Sequence, residues 1–86
     1  MQKINNFDLN LLRVFSAVHA EGHIGRAAKI LGISQPAVSH AIQRLRDSVG
    51  DPLFIRSGKG VEPTARADEM AAYVRDSLES AMAAIT

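Results

Sequence analysis

Gln35, Ser39, His40, Gln43 and Arg44 place donors and acceptors one to four residues apart within QPAVSHAIQR. At about 100° per residue a helix turns all of them away from Val38, Ile42 and Leu45. Pro36, His40, Gln43 and Asp47 face outward, flanked by Ser39 and Arg44, and Gln35 projects from the first turn. A carboxamide offers a donor and an acceptor together, the pattern that pairs with the edge of an adenine. By that chemistry Gln35 is a base reader, and Ser39 bonds to a base or a phosphate. Pro36 offers apolar contact to a thymine methyl, and His40 a donor to guanine or to phosphate. Arg44 is a phosphate contact rather than a base reader. The bland alternative for each is a solvated surface side chain.

The elements that must position them lie in IGRAAKILGISQPAVSHAIQ, residues 24–43. Ala28 is small where two crossing helices approach closely. Gly32 stands where a turn needs positive φ. Ile33 and Val38 supply apolar contacts that lock a second helix across the first. Ser34 is an N-cap, with neighbouring N–H groups able to face a phosphate, and Pro36 fits the first turn. Together these constraints describe a DNA-binding helix-turn-helix. Arg26 and Lys29 on its first helix are candidate backbone contacts.

Upstream, Asp8 is a plausible N-cap for LNLLRVFSAVHAEG. Leu9, Leu12, Phe15, Ala17 and Val18 form its apolar stripe, and Gly22 ends it. The second helix covers about Gly25 to Leu31, with Ala27, Ala28 and Leu31 apolar. The third runs from about Gln35 to Val49, stopped by Gly50, Asp51 and Pro52. Leu53 to Arg56 is rich in β-formers, SGKG is a turn, and Val61 with Glu62 return as a second strand. So short a hairpin needs Leu53, Phe54 or Ile55 packed on the helices. It is the wing of a winged helix, and Arg56 and Lys59 on it approach phosphates or the minor groove. Ordinary surface charge is the alternative.

Thr64 caps a last helix. Its Ala67, Ala71, Val74, Leu78, Ala81 and Ile85 are spaced as a heptad seam. Packing on its own domain is the simple reading. A helix of about 22 residues extends about 33 Å, beyond so small a domain, which favours a dimerising coiled coil. The expected organisation is a mainly α winged helix-turn-helix over residues 1–63, followed by a linker and dimerisation helix over 64–86.

The 86 residues suffice for one domain, and at 47% hydrophobic the chain is globular. No apolar run approaches the length of a membrane span, and MQKINNFDLN lacks the apolar region of a secretory signal. The absence of Cys excludes thiolate chemistry and suits a cytoplasmic, nucleoid-associated location. The net charge of +1 hides a polarity. From Ile24 to Arg66 seven bases face three acids, whereas from Ala67 onward Arg75 stands against four acids. The positive middle suits phosphate contact and the acidic end does not.

His19 and His23 are spaced as metal ligands are, but Gly22 intervenes and no third ligand stands nearby, so they read as surface histidines. No catalytic constellation or phosphate loop stands out, so neither an enzyme nor a cofactor is expected. Phe7, Phe15, Phe54 and Tyr73 are few and mostly placed as core, which argues against stacking on single strands. The competing reading is a helical dimerisation module that has lost DNA binding. The polar, partly basic face around Gln35, His40, Gln43 and Arg44 argues against it.

FDLNLLRVFSAV, then AAKILGISQPAVSHAIQRLRDSVGDPLFIR, then a Gly-containing turn and EPT, resemble the N-terminal domain of LysR-type transcriptional regulators. The likeness runs from Phe7 to Ala67. DPLFIR and RSGKGVEPT resemble the subgroup that includes regulators of nodulation and of aromatic-compound catabolism. The resemblance implies a bacterial regulator whose partners are double-stranded DNA, read at an inverted repeat, and a second copy of itself paired through the linker helix. Higher oligomers would belong to the full-length protein. It also implies a larger C-terminal domain that binds a small-molecule effector. That domain is absent here, so either an excised DNA-binding domain or a natural short form is expected, the former being favoured. Two positions depart from the pattern. The family often has Ser or Thr around His23 and Gly25, so a looser start to the second helix is expected. It often has Arg where His40 stands, which implies a different base preference there.

Overall fold

Local capping chemistry sets most helix boundaries. The computed structural model describes residues 7–86, as α1 (Asn10–Glu21), α2 (Ile24–Leu31), α3 (Gln35–Val49), β1 (Phe54–Ser57), β2 (Gly60–Pro63) and α4 (Ala65–Ile85). Ser34 Oγ accepts from the Ala37 N–H at 3.2 Å and starts α3, with Pro36 in its first turn. Thr64 Oγ1 accepts from the Ala67 N–H at 3.1 Å and starts α4. Gly32 takes φ 70° between α2 and α3, a conformation that a Cβ disfavours. The order of three helices, a hairpin and a fourth helix is the winged helix-turn-helix that the sequence indicates.

α1 is capped as expected, and α2 starts differently. Leu9 already has helical dihedrals, φ −62° and ψ −19°. Asp8 Oδ1 accepts from the Asn10 N–H two residues on, at 2.9 Å, as an N-cap does. α2 begins at Ile24 rather than Gly25, and His23 is its N-cap, with Nδ1 accepting from the Arg26 N–H at 3.1 Å. The imidazole does the work expected of a hydroxyl, so the start of α2 is tied rather than loose.

α1 is the central element and packs against α2, α3 and α4. Its buried residues are Leu11, Val14, Phe15 and Val18. The expected stripe was rotated: Leu9 is exposed, while Leu12 and Ala17 are half-buried. Neighbours on three sides widen the apolar face and carry it to Leu11 and Val14. Ala27, Ala28, Val38, Ala41, Ile42 and Leu45 complete the helical core. Burying a side chain the size of Ile42 or Leu45 is worth about 1.5–3 kcal/mol.

β1 and β2 pair antiparallel, Phe54 opposite Pro63 and Ser57 opposite Gly60. Leu53 and Phe54 are buried and anchor the hairpin, while Ile55 is exposed. The Phe54 ring lies 5.5 Å from that of Phe15. Leu53 is the one non-glycine residue with positive φ, at 64°, among those described. Asp51 Oδ2 holds it there, accepting from the Leu53 N–H at 2.8 Å and from Thr64 Oγ1 at 2.7 Å. Arg46 reinforces the same turn. Its guanidinium donates to the Pro52 carbonyl at 2.7 Å and to the Phe54 carbonyl at 3.1 Å. The far strand docks on α1, where the Val61 N–H donates to the Gly22 carbonyl at 3.0 Å.

α4 divides the expected heptad seam. Ala67 and Val74 are buried in the chain's own core at 0% and 6% exposure. Met70, Ala71 and Leu78 are half-buried against it. Only Ala81 and Ile85 remain exposed. The first half of the seam is therefore core, and Ala67 and Val74 are unavailable to a second chain. His19 adds a contact to this docking, with its Nε2 2.8 Å from Asp68 Oδ1 and its ring stacked on Phe15.

Two substitutions test how the wing is held. A Cβ at Gly60 would fall on the Gly22 carbonyl oxygen. Gly60→Ala should therefore destabilise the domain by about 1–3 kcal/mol, read as a lower urea midpoint. An unshifted midpoint would show that β2 is not docked on α1. Arg46→Ala should lose about 1–3 kcal/mol by the same measurement, because it strips the donors from the part-buried Phe54 carbonyl.

Candidate nucleic-acid interface

The outward face of α3 is set by its buried one. With Val38, Ala41, Ile42 and Leu45 inside, the exposed residues include Gln35, Pro36, Ser39, His40, Gln43 and Arg44. The wing lies beside one edge of this helix. A groove runs between them, and its upper part is bordered by His23, Gly25, Gln35, Arg56 and Lys59. Its lower part is bordered by Ser39, Gln43, Arg46, Arg56 and Val61. Arg56 belongs to both parts. The structure thus brings Gln35 beside Arg56 and Lys59, and Ser39 and Gln43 beside Arg56.

Pro36, His40 and Arg44 are exposed but do not line the groove. Arg44 Nη1 is 3.3 Å from Asp8 Oδ2, so one carboxylate already shares its charge. Arg26 is also engaged: Nη2 donates to the Glu21 carbonyl at 3.1 Å, and Nε is 3.8 Å from Glu21 Oε1. Surface pairs of this kind are worth at most about 1 kcal/mol, so a phosphate can displace either acid. Lys29 is exposed on α2 and makes no salt bridge among the described residues. Ser34 is committed to its cap.

Gln43 is less free than its exposure suggests. Its Nε2 donates to Asp47 Oδ1 at 3.1 Å and its Oε1 accepts from Arg46 Nη1 at 3.3 Å. Gln35 carries no such bond within the described residues. Arg46 was missed as a contributor because its side chain turns back to carbonyls rather than out to solvent. His19 and His23, read from the sequence as surface histidines, are an inter-helix latch and a helix cap. Their partners, Asp68 and the Arg26 amide, explain why these rings are held. Among the described residues no group of three His, Cys, Asp or Glu is placed to hold a metal ion. Nor, among the described residues, is any helix long and apolar enough to cross a membrane.

Comparison with known proteins agrees with this geometry. The family described as bacterial regulatory helix-turn-helix protein, lysR family, matches residues 9–68. The HTH-type transcriptional regulator LeuO of Escherichia coli K12 is 54% identical over 72 residues, covering 84% of this chain and 23% of LeuO. The probable transcriptional regulator PA0477 from Pseudomonas aeruginosa superposes with a TM-score of 0.90 at 41% identity, covering 95% of this chain and 28% of that one. The CbnR_DBD–DNA complex superposes with a TM-score of 0.83 at 33% identity, covering 91% of this chain and 90% of that one. The chain therefore spans under a third of the length of LeuO and of the PA0477 regulator. By match and fold, the chain belongs to the LysR family of helix-turn-helix DNA-binding transcriptional regulators.

Proposed function

We propose that the chain reads duplex DNA sequence-specifically as a homodimer. Residues 35–49 lie in the major groove, and Arg56 and Lys59 meet the adjacent backbone or minor groove. The observation that carries this is the groove that sets Gln35 beside Arg56 and Lys59, and Ser39 and Gln43 beside Arg56. One wall offers hydrogen-bonding variety and the other offers charge, the division of labour that base readout and backbone positioning require. A neighbour of 33% identity is a DNA complex over the same length of chain, which supports the reading. Two copies want two half-sites in inverted symmetry, and the biological role is transcriptional control in the bacterial cytoplasm. Pro36, Ser39, His40, Arg44, Arg26 and Lys29 belong to the surrounding contact surface. Recognition of an effector is assigned to the part of a full-length protein that lies beyond this domain, as is any higher oligomer.

Residues 64–86 are proposed as the dimerisation helix, with its contact moved outward from the expected seam. Ile85 is 77% exposed, and Met82 and Ala81 beside it are exposed as well. Ala67, Ala71, Val74 and Leu78 root the helix in its own domain, and Ala81 and Ile85 remain for a partner. Ile85→Asp is then a cleaner probe than a change at half-buried Leu78. Wild type should elute as a dimer and the variant as a monomer by size exclusion with light scattering at micromolar concentration. A monomeric wild type would sink the dimer.

The central test is selection of bound duplexes from a random pool, followed by titration. Gln35→Ala should cost about 1–3 kcal/mol on the selected site and almost nothing on a scrambled one. Equal losses on both would make Gln35 a backbone contact. Arg56→Ala and Lys59→Ala should weaken binding to every duplex and lower the log–log salt slope by about one unit each. Unchanged affinity at low salt would show that the wing does not reach the phosphates.

A further inference from the structure

His23 has two ring nitrogens, and the helix cap uses one of them. Nδ1 accepts from the Arg26 N–H at 3.1 Å. A nitrogen that accepts carries no proton, so the neutral ring holds its proton on Nε2. No partner for Nε2 exists among the described residues. The ring borders the groove that also holds Gln35, Arg56 and Lys59. It is kept there by a missing side chain. A Cβ on Gly25 would stand 2.9 Å from His23 Cε1, closer than such atoms pack, and a tight 3.3 Å from Gln35 Nε2. The imidazole and the Gln35 carboxamide thus share the space that Gly25 leaves open.

We propose that His23 is a DNA-contact residue whose Nε2–H donates to a phosphate oxygen beside the base that Gln35 meets. The cap orients the ring and fixes its tautomer, so the donor is prepared before DNA arrives. A neutral donor adds a hydrogen bond without a counterion, so it should strengthen binding while leaving the salt slope alone. It acts on all sequences, because a phosphate carries no base identity.

The inference rests on the duplex-binding reading, and the experiment separates the two. His23→Ser keeps a good N-cap but ends well short of where the imidazole edge stands. Wild type and variant are titrated with one random-sequence duplex across a salt series, and both are melted. The expected result is about ten-fold weaker binding by the variant, an unchanged salt slope and a similar melting temperature. Nitrogen NMR of the wild type gives a second readout that does not depend on the variant folding. The His23 Nε2 resonance should shift, and its proton become protected, when duplex is added. A wild type that binds while the variant matches it within two-fold overturns the His23 assignment alone, as does an Nε2 signal indifferent to duplex. A wild type that binds no duplex overturns both readings.

Discussion

One carboxylate oxygen of Asp51 holds the wing to the helices. It accepts from the Leu53 amide and the Thr64 hydroxyl, and so joins the end of α3, the start of β1 and the start of α4. Leu53 is bent into a left-handed conformation that costs about 1–2 kcal/mol for a residue with a Cβ. Its side chain is completely buried, and that burial together with the Asp51 bond offsets the strain. The bend turns the chain back along α3. With that bend in place Leu53 and Phe54 enter the core, and Arg56 borders the groove with Ser39 and Gln43.

The far end of the hairpin is fixed by a different device. Gly60 lets the backbone come down on the end of α1, where Gly22 presents its carbonyl to Val61. Arg46 works between these two anchors, binding the carbonyls of Pro52 and Phe54 from α3 itself. The wing is thus tied to the helix that it accompanies. The groove between them is a product of the core and does not need DNA to form.

The features legible in the sequence are those governed by neighbours along the chain. Ser34, Thr64 and Gly32 declare themselves because a cap or a positive φ involves only a few consecutive residues. The α3 face was legible because α1 and α2 both meet the strip of Val38, Ala41, Ile42 and Leu45, which leaves the opposite side clear. α1 was misread at Leu9, Leu11 and Val14 because three elements press on it, and their arrangement is not written in its own period. His23 was missed as a cap because its ring reaches back to Arg26 from a residue type outside the usual capping set. The heptad spacing through Ala67 and Val74 serves equally for a second chain and for the domain's own core, and both residues are buried in that core. Gln35 was legible as an outward side chain, whereas its proximity to His23 depends on the space above Gly25.

α4 has a root and an overhang. Ala67, Val74 and the His19–Asp68 contact grip its first half, while Ile85 near its other end touches little. A 21-residue helix held this way is a lever whose fulcrum lies inside the DNA-binding domain. A load on Met82 or Ile85 would be met first where α4 packs on α1, the helix on which α2 and α3 also rest. The far end of α4 is thus continuous with the core beneath α3.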